Sequence, residues 1–346
     1  MTSKNKLAAL IMFLIGVAIF LWEGRHTDVH HIMRDLLHLN WWWLLLGVVV
    51  MLLSWVFETF VLQILVRTEN EQLPFREALR VPLVEQLFNS ITPFATGGQP
   101  AQLFAMIQSG VEGGKASSVL LMKFIVYQFM VLINFVFTMI VGFHRIAQHF
   151  GALSWLIAFG MLIHVVVIVG LLLVMYYYKF TKKLVAVMLV PVGWILGQKR
   201  RQELALELET KIDTFYQESL HLKREKTKVV KACVLTLVQL LLYYSVPYFV
   251  LLALHVPQVN LVQVMVMHVM IVMIVSLFPI PGGSGGAEYS FKTIFATFMV
   301  GPAQLVLAMM LWRFLTYYMG MILGIVAVAV KPRRKAHVID GKKTIS

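Results

Sequence analysis

The chain has 346 residues, 59% of them hydrophobic and 14% charged, with a mean hydropathy of +0.79. That apolarity excludes an ordinary soluble domain. The single cysteine, Cys233, excludes an intrachain disulfide or a cysteine metal site. The net charge of +13 follows from topology. With the N-terminus in the cytosol, 24 of the 30 Lys and Arg fall on the cytosolic side and only Arg25, Arg34 and Arg145 outside. The positive-inside rule and attraction to anionic headgroups account for such a bias, so no nucleic-acid partner is expected.

In chain order, six full spans are predicted at about 7–22, 41–66, 118–143, 152–177, 231–254 and 303–330, each near the roughly 20 residues that cross a bilayer core. Trp22-Glu23-Gly24-Arg25 follows the first run where a small-residue cleavage site would stand, so a retained span is expected. His26, His30, His31 and His38 cluster in the loop after it, and a solvated loop is expected there rather than a metal site. Trp41, Trp42 and Trp43 mark an interface belt.

Two segments break the apolar pattern with Pro and Gly. Residues 81–109 are too short for two crossings and predict a re-entrant hairpin that breaks at Thr92–Pro100. Residues 260–300 read as a second hairpin or as two thin crossings. Backbone that leaves the helix at membrane depth survives only where protein or a wet cavity satisfies it. With hairpins, the order span, hairpin, span occurs twice, at about 41–143 and 231–330, with opposite starting sides. That is an inverted-topology repeat, an all-α polytopic transporter architecture with its site near the midplane. One membrane domain is expected over 1–346. A cytosolic amphipathic segment falls at about 198–228, where Leu204, Leu208, Ile212 and Phe215 recur at helical spacing and Glu207 and Lys211 pair at i,i+4. It either lies on the membrane or packs on the domain. The apolar run 184–197 contains Pro191 and is too short to span. A basic tail covers 331–346.

The ionisable residues inside apolar runs are Glu58, Glu85, Lys123, Glu288, Lys292 and Arg313. Such residues face a cavity or pair with one another. Glu288 and Lys292 share a helix face at i,i+4 and read as headgroup ligands or as a self-neutralising pair. Lys123 reads as structural, and Glu58 as a packed or snorkelling carboxyl. The glycines permit left-handed backbone and close approach, and free N–H groups at a half-helix N-terminus would suit a phosphodiester. The bland alternative is close helix packing through small residues. Asn89, Thr92, Thr96, Gln99, Gln102 and Ser284 supply polar groups for either picture. No Gly-Lys-Ser/Thr follows the glycines, so a P-loop is excluded, and no cofactor is expected. No Ser/His/Asp order emerges.

The motifs Asn89-x-x-Thr92-Pro93-x-x-x-Gly97-Gly98-x-Pro100 and Pro281-Gly282-Gly283-x-Gly285-Gly286-x-Glu288 resemble the flippase-like transmembrane domain of the lysylphosphatidylglycerol synthase family. Ser284 and Ala287 depart from its larger apolar residues. The resemblance implies a cell-membrane protein that moves aminoacylated phosphatidylglycerol or another polar lipid between leaflets, with a part in resistance to cationic antimicrobial peptides. In full-length members a soluble C-terminal domain transfers lysine from lysyl-tRNA to phosphatidylglycerol. The chain ends at Ser346, so lysyl transfer is expected only with a separate soluble synthase. A lysyltransferase membrane part and a non-transporting scaffold are the rival readings. The candidate headgroup-binding residues are Glu85, Asn89, Thr92, Pro93, Gly97, Gly98, Gln99, Pro281, Gly282, Gly283, Gly285, Gly286, Glu288 and Lys292.

Overall fold

The computed structural model describes residues 34–68, 72–149, 151–190, 197–298, 301–330 and 332. The expected span at 7–22, His26, His30, His31, Pro191 and the basic tail lie outside the described residues, as do the side chains of Leu204, Glu207 and Lys211. All regular structure among the described residues is helical. The longer elements are α1 (Trp41–Val66), α2 (Phe75–Ile91), α3 (Gly98–Gln108), α4 (Gly113–His149), α5 (Gly151–Tyr176), α6 (Tyr178–Met188) and α7 (Gln198–Arg224). They continue as α8 (Lys226–Ala253), α9 (Leu261–Val275), α10 (Gly286–Phe295), α11 (Pro302–Arg313) and α12 (Met319–Ala329). Helices α11 and α12 are one rod joined by a single π turn, Phe314–Tyr318. Among the described residues, five stretches are long and apolar enough to cross a membrane: Trp41–Val66, Gly113–Val141, Trp155–Tyr176, Lys226–Ala253 and Pro302–Ala329. They coincide with the predicted spans to within a few residues.

Helix α1 starts where the Asn40 side chain accepts from the Trp42 N–H at 3.2 Å, satisfying an orphan donor of the first turn. It runs antiparallel to α8 along its length. Asn40 N–H donates to the Ala253 carbonyl at 2.9 Å at one end. Ser54 Oγ donates to the Gln239 carbonyl at 3.1 Å in the middle, and Lys228 Nζ to the Arg67 carbonyl at 2.5 Å at the other end.

Neither broken segment contains a full-length crossing. Helices α2 and α3 have 17 and 11 residues, and α9 and α10 have 15 and 10, against the roughly 20 a core crossing needs. Helices α2 and α3 fold back on each other: Arg80 Nη2 near the start of α2 donates to Gln108 Oε1 at the end of α3, at 2.7 Å. Helix α12 lies antiparallel on α2. Arg80 Nε donates to the Ala327 carbonyl at 3.1 Å, and Gly324 admits the α2 backbone, since a Cβ there would stand 2.5 Å from the Leu83 carbonyl oxygen. Small residues permit such approach where both helices lie in lipid.

Helix α7 packs on the domain. Phe215, Ser219 and Leu222 are buried on one face, and the hydroxyls of Ser219 and Ser118 meet at 2.9 Å against α4. These contacts are of the packing kind that was one of the two expectations for this segment.

Candidate functional site

Each break is a Pro-initiated 3₁₀ turn, Pro93–Ala95 and Pro281–Gly283. The sequences align residue for residue: Pro93-Phe94-Ala95-Thr96-Gly97-Gly98 with Pro281-Gly282-Gly283-Ser284-Gly285-Gly286. The second and third positions are left-handed in both, with φ of 52° and 53° at Phe94 and Ala95 and of 64° and 62° at Gly282 and Gly283. Glycine takes this conformation freely, whereas Phe94 and Ala95 take it at about 1–2 kcal/mol each. Such strain clusters at sites where the surrounding structure over-determines the backbone.

The two turns touch each other. Beside them lies a cavity of about 440 Å³ walled by α1, α2, α4, α5, α8, α9 and α11 together with both breaks. Polar and charged groups at the wall include Ser54, Glu58, Glu85, Asn89, Gln99, Lys123, Gln128, Gln239 and Arg313. Aromatic rings fill much of the remainder: Trp55, Phe94, Phe124, Tyr127, Tyr243, Phe278, Trp312 and Tyr317.

Two ion-pair clusters stand at the wall. In the first, Lys123 Nζ donates to Glu58 Oε1 at 2.5 Å, to Gln102 Oε1 at 3.0 Å and to Glu85 Oε2 at 3.3 Å. Glu58 and Lys123 are only 6% and 8% exposed. Gln239 Nε2 from α8 adds a contact to Glu58 Oε2 at 3.4 Å. In the second, Arg313 Nε donates to Glu288 Oε1 at 2.7 Å and Arg313 Nη1 to the Gly282 carbonyl at 3.0 Å. The guanidinium also lies 4.9 Å from the centre of the Tyr317 ring, within cation–π range. One π turn separates Arg313 from Tyr317 along the rod, and such turns mark functional sites. Tyr317 Oη donates to the Ser90 carbonyl at 3.0 Å, so the same turn holds both breaks.

Behind Arg313, the His268 ring fixes Trp312. Trp312 Nε1 donates to His268 Nε2 at 3.1 Å, so Nε2 is the acceptor and the proton sits on Nδ1, 3.2 Å from the Tyr244 carbonyl. Phe291 stacks on Trp312 with centroids 4.9 Å apart, which joins α10 to α11. His164 of α5 also reaches the wall, and neither of its ring nitrogens has a hydrogen-bond partner among the described residues.

Of the candidate headgroup residues, Glu85, Asn89, Gln99, Gly282 and Gly283 line the cavity. Thr92, Pro93, Gly97, Gly98, Pro281, Gly285 and Gly286 build the turns, and Glu288 and Lys292 lie on α10 outside the lining. Thr92 Oγ1 donates to the Phe88 carbonyl and accepts the Gly97 N–H at 2.8 Å. Gly98 leaves room for the Asn89 amide, whose Oδ1 would stand 2.1 Å from a Cβ there. The Gly285 N–H, expected to be free for an anion, donates to Glu288 Oε2 at 2.6 Å. Glu288 thus acts from N3 of α10 as half of a capping box, with Arg313 as its ion-pair partner 25 residues away. Glu58 and Lys123, read from the sequence as packed or structural, stand at the cavity wall. Nothing local marks their pairing, which closes 65 residues of chain. Among the described residues no group of His, Cys, Asp and Glu could hold a metal ion, and His38 is exposed.

A protein from Archaeoglobus fulgidus named UPF0104 membrane protein is 21% identical over 328 residues, which cover 92% of this chain and 95% of its own. The family described as Lysylphosphatidylglycerol synthase TM region matches residues 8–324, a stretch that contains both breaks and every charged residue of the cavity wall. The chain is therefore a multi-pass membrane protein and a member of the lysylphosphatidylglycerol synthase TM region family.

Proposed function

We propose that this protein moves a polar lipid between leaflets, with the headgroup crossing through the cavity while the acyl chains stay in the bilayer. Aminoacylated phosphatidylglycerol or a related lipid is the cargo best suited to it. The observation that carries the reading is the meeting of two broken helices at one charged cavity. Irregular backbone at membrane depth is tolerated where it lines such a space, and discontinuous helices in two halves are a mark of transport sites. Glu85 and Glu58 would face a headgroup amine, and Arg313 would face its phosphate.

In this reading α2–α3 and α9–α10 are re-entrant hairpins entering from opposite sides, and the repeats run about 41–143 and 231–330. The antiparallel pairing of α1 with α8, the first spans of the two repeats, supports the inversion. So does the left-handed backbone that the second and third positions of the two turns have in common. Both termini would lie in the cytosol by the Lys/Arg bias.

The test is transbilayer movement of fluorescent lipids in liposomes that carry the purified chain. Outer-leaflet quenching should exceed the half expected of one leaflet and approach completion. Quenching equal to that of protein-free liposomes, for lysylated and unmodified phosphatidylglycerol alike, would return the chain to the scaffold reading.

A further inference from the structure

The Lys123 cluster is short of one positive charge. Two carboxylates, Glu58 and Glu85, share one ammonium. The three hydrogens of that ammonium are matched by Glu58, Glu85 and Gln102, so it has none left for a third charge. The remaining carboxylate contacts are neutral amides: Gln239 Nε2 on Glu58 at 3.4 Å and Asn89 Nδ2 on Glu85 at 3.5 Å. Arg313, the other cation of the cavity wall, is taken by Glu288 and the Gly282 carbonyl.

Asn89 of α2, Gln102 of α3 and Gln239 of α8 contact this cluster, and Tyr127 of α4, His164 of α5, Tyr243 of α8 and Arg313 of α11 share the cavity with it. None of them neutralises the extra carboxylate. An unpaired charge in a buried site at membrane depth is costly, and such sites recruit a proton or a counter-cation instead.

We propose that this vacancy is filled by a proton on the Glu58 carboxyl in the lipid-free protein, and by the headgroup ammonium when a lipid enters. The inference rests on the reading of the cavity as a headgroup site. On entry the carboxylic O–H bond breaks heterolytically and the proton passes to water. Both carboxylates are then ionised, one on Lys123 and one on the incoming ammonium. No bond to nitrogen forms or breaks. Each ammonium-bearing lipid that crosses is thereby exchanged for a proton, which ties lipid movement to the pH difference across the membrane. A lipid without an ammonium gains no such coupling.

The experiment is calorimetric titration of the purified chain in detergent, at neutral pH, in two buffers of different ionisation enthalpy. The probes are dioctanoyl phosphatidylethanolamine and dioctanoyl phosphatidylglycerol. The amine lipid should release about one proton per lipid bound, and the glycerol lipid none. Glu58→Gln keeps the shape of the protonated acid; it should abolish the release and lower the preference for the amine lipid by about tenfold or more. Binding of the amine lipid without proton release overturns the inference, as does release that persists in Glu58→Gln. If wild-type protein binds neither lipid, the headgroup reading itself fails. The proton is then decided by acid titration of the lipid-free chain: wild type should take up about one proton more than Glu58→Gln between about pH 9 and pH 5, and equal uptake overturns it.

Discussion

Phe94 and Gly282 occupy the same step of two turns that touch at the cavity, with φ of 52° and 64°. Their side-chain surroundings differ. Phe94 carries its ring at the cavity wall, 56% exposed, whereas a Cβ on Gly282 would stand 2.2 Å from the Tyr317 ring. At this step the two turns share a left-handed φ but not a tolerance. Gly282→Ala should lower stability by at least about 2 kcal/mol, from left-handed strain and overpacking together. Ala95→Gly, which relieves strain at the matching third position, should stay within about 1 kcal/mol of wild type. Thermal unfolding in one detergent compares them, and equal losses would refute the assignment of Tyr317 as the obstacle.

The Glu288–Arg313 pair should behave as a unit. Arg313→Met leaves a buried carboxylate without its partner and should cost about 3–5 kcal/mol. Adding Glu288→Gln should recover part of that loss, because the orphaned charge is gone. A double-mutant cycle in which the two losses simply add would show the residues to be uncoupled.

Much of the architecture was legible because apolar length and Pro/Gly interruption are local properties. The spans at 41–66 and 231–254 needed only hydropathy, and both breaks needed only composition. The partners of buried charges were not legible, because each is set by tertiary packing. Arg313 reaches Glu288 across 25 residues and Lys123 reaches Glu58 across 65. The i,i+4 spacing of Glu288 and Lys292 gave no sign of Arg313, which donates to Glu288 at 2.7 Å. His164 stood in a plain apolar run, and only the approach of α5 to α9 at Gly160, where a Cβ would meet the Met273 carbonyl at 2.6 Å, explains how it comes to the wall.

Charge selectivity should reside in Glu85 rather than Glu288. Glu288, itself outside the lining, caps α10 and holds Arg313, so Glu288→Gln should slow lysylated and unmodified phosphatidylglycerol alike. Glu85→Gln should slow the lysylated lipid more, by about tenfold if one charge-assisted contact is lost. Transport of both lipids at matched protein levels separates the two roles. A selective defect in Glu288→Gln would reverse them.

By the Lys/Arg bias we propose that α7 lies in the cytosol. Thr210→Cys in a Cys233→Ser background should resist an impermeant thiol reagent applied to intact cells and react after permeabilisation. Labelling of intact cells would invert the topology.

In the proposed route, lipid headgroups pass the cavity beside the two turns. Ala95 lines that cavity and is exposed, so Ala95→Cys, again without Cys233, gives a point at which to obstruct it. Transbilayer movement of a fluorescent phospholipid should be measured in liposomes before and after a bulky maleimide is attached at position 95. Attachment should reduce movement to the level of protein-free liposomes; full movement past a completely modified residue 95 would contradict the account.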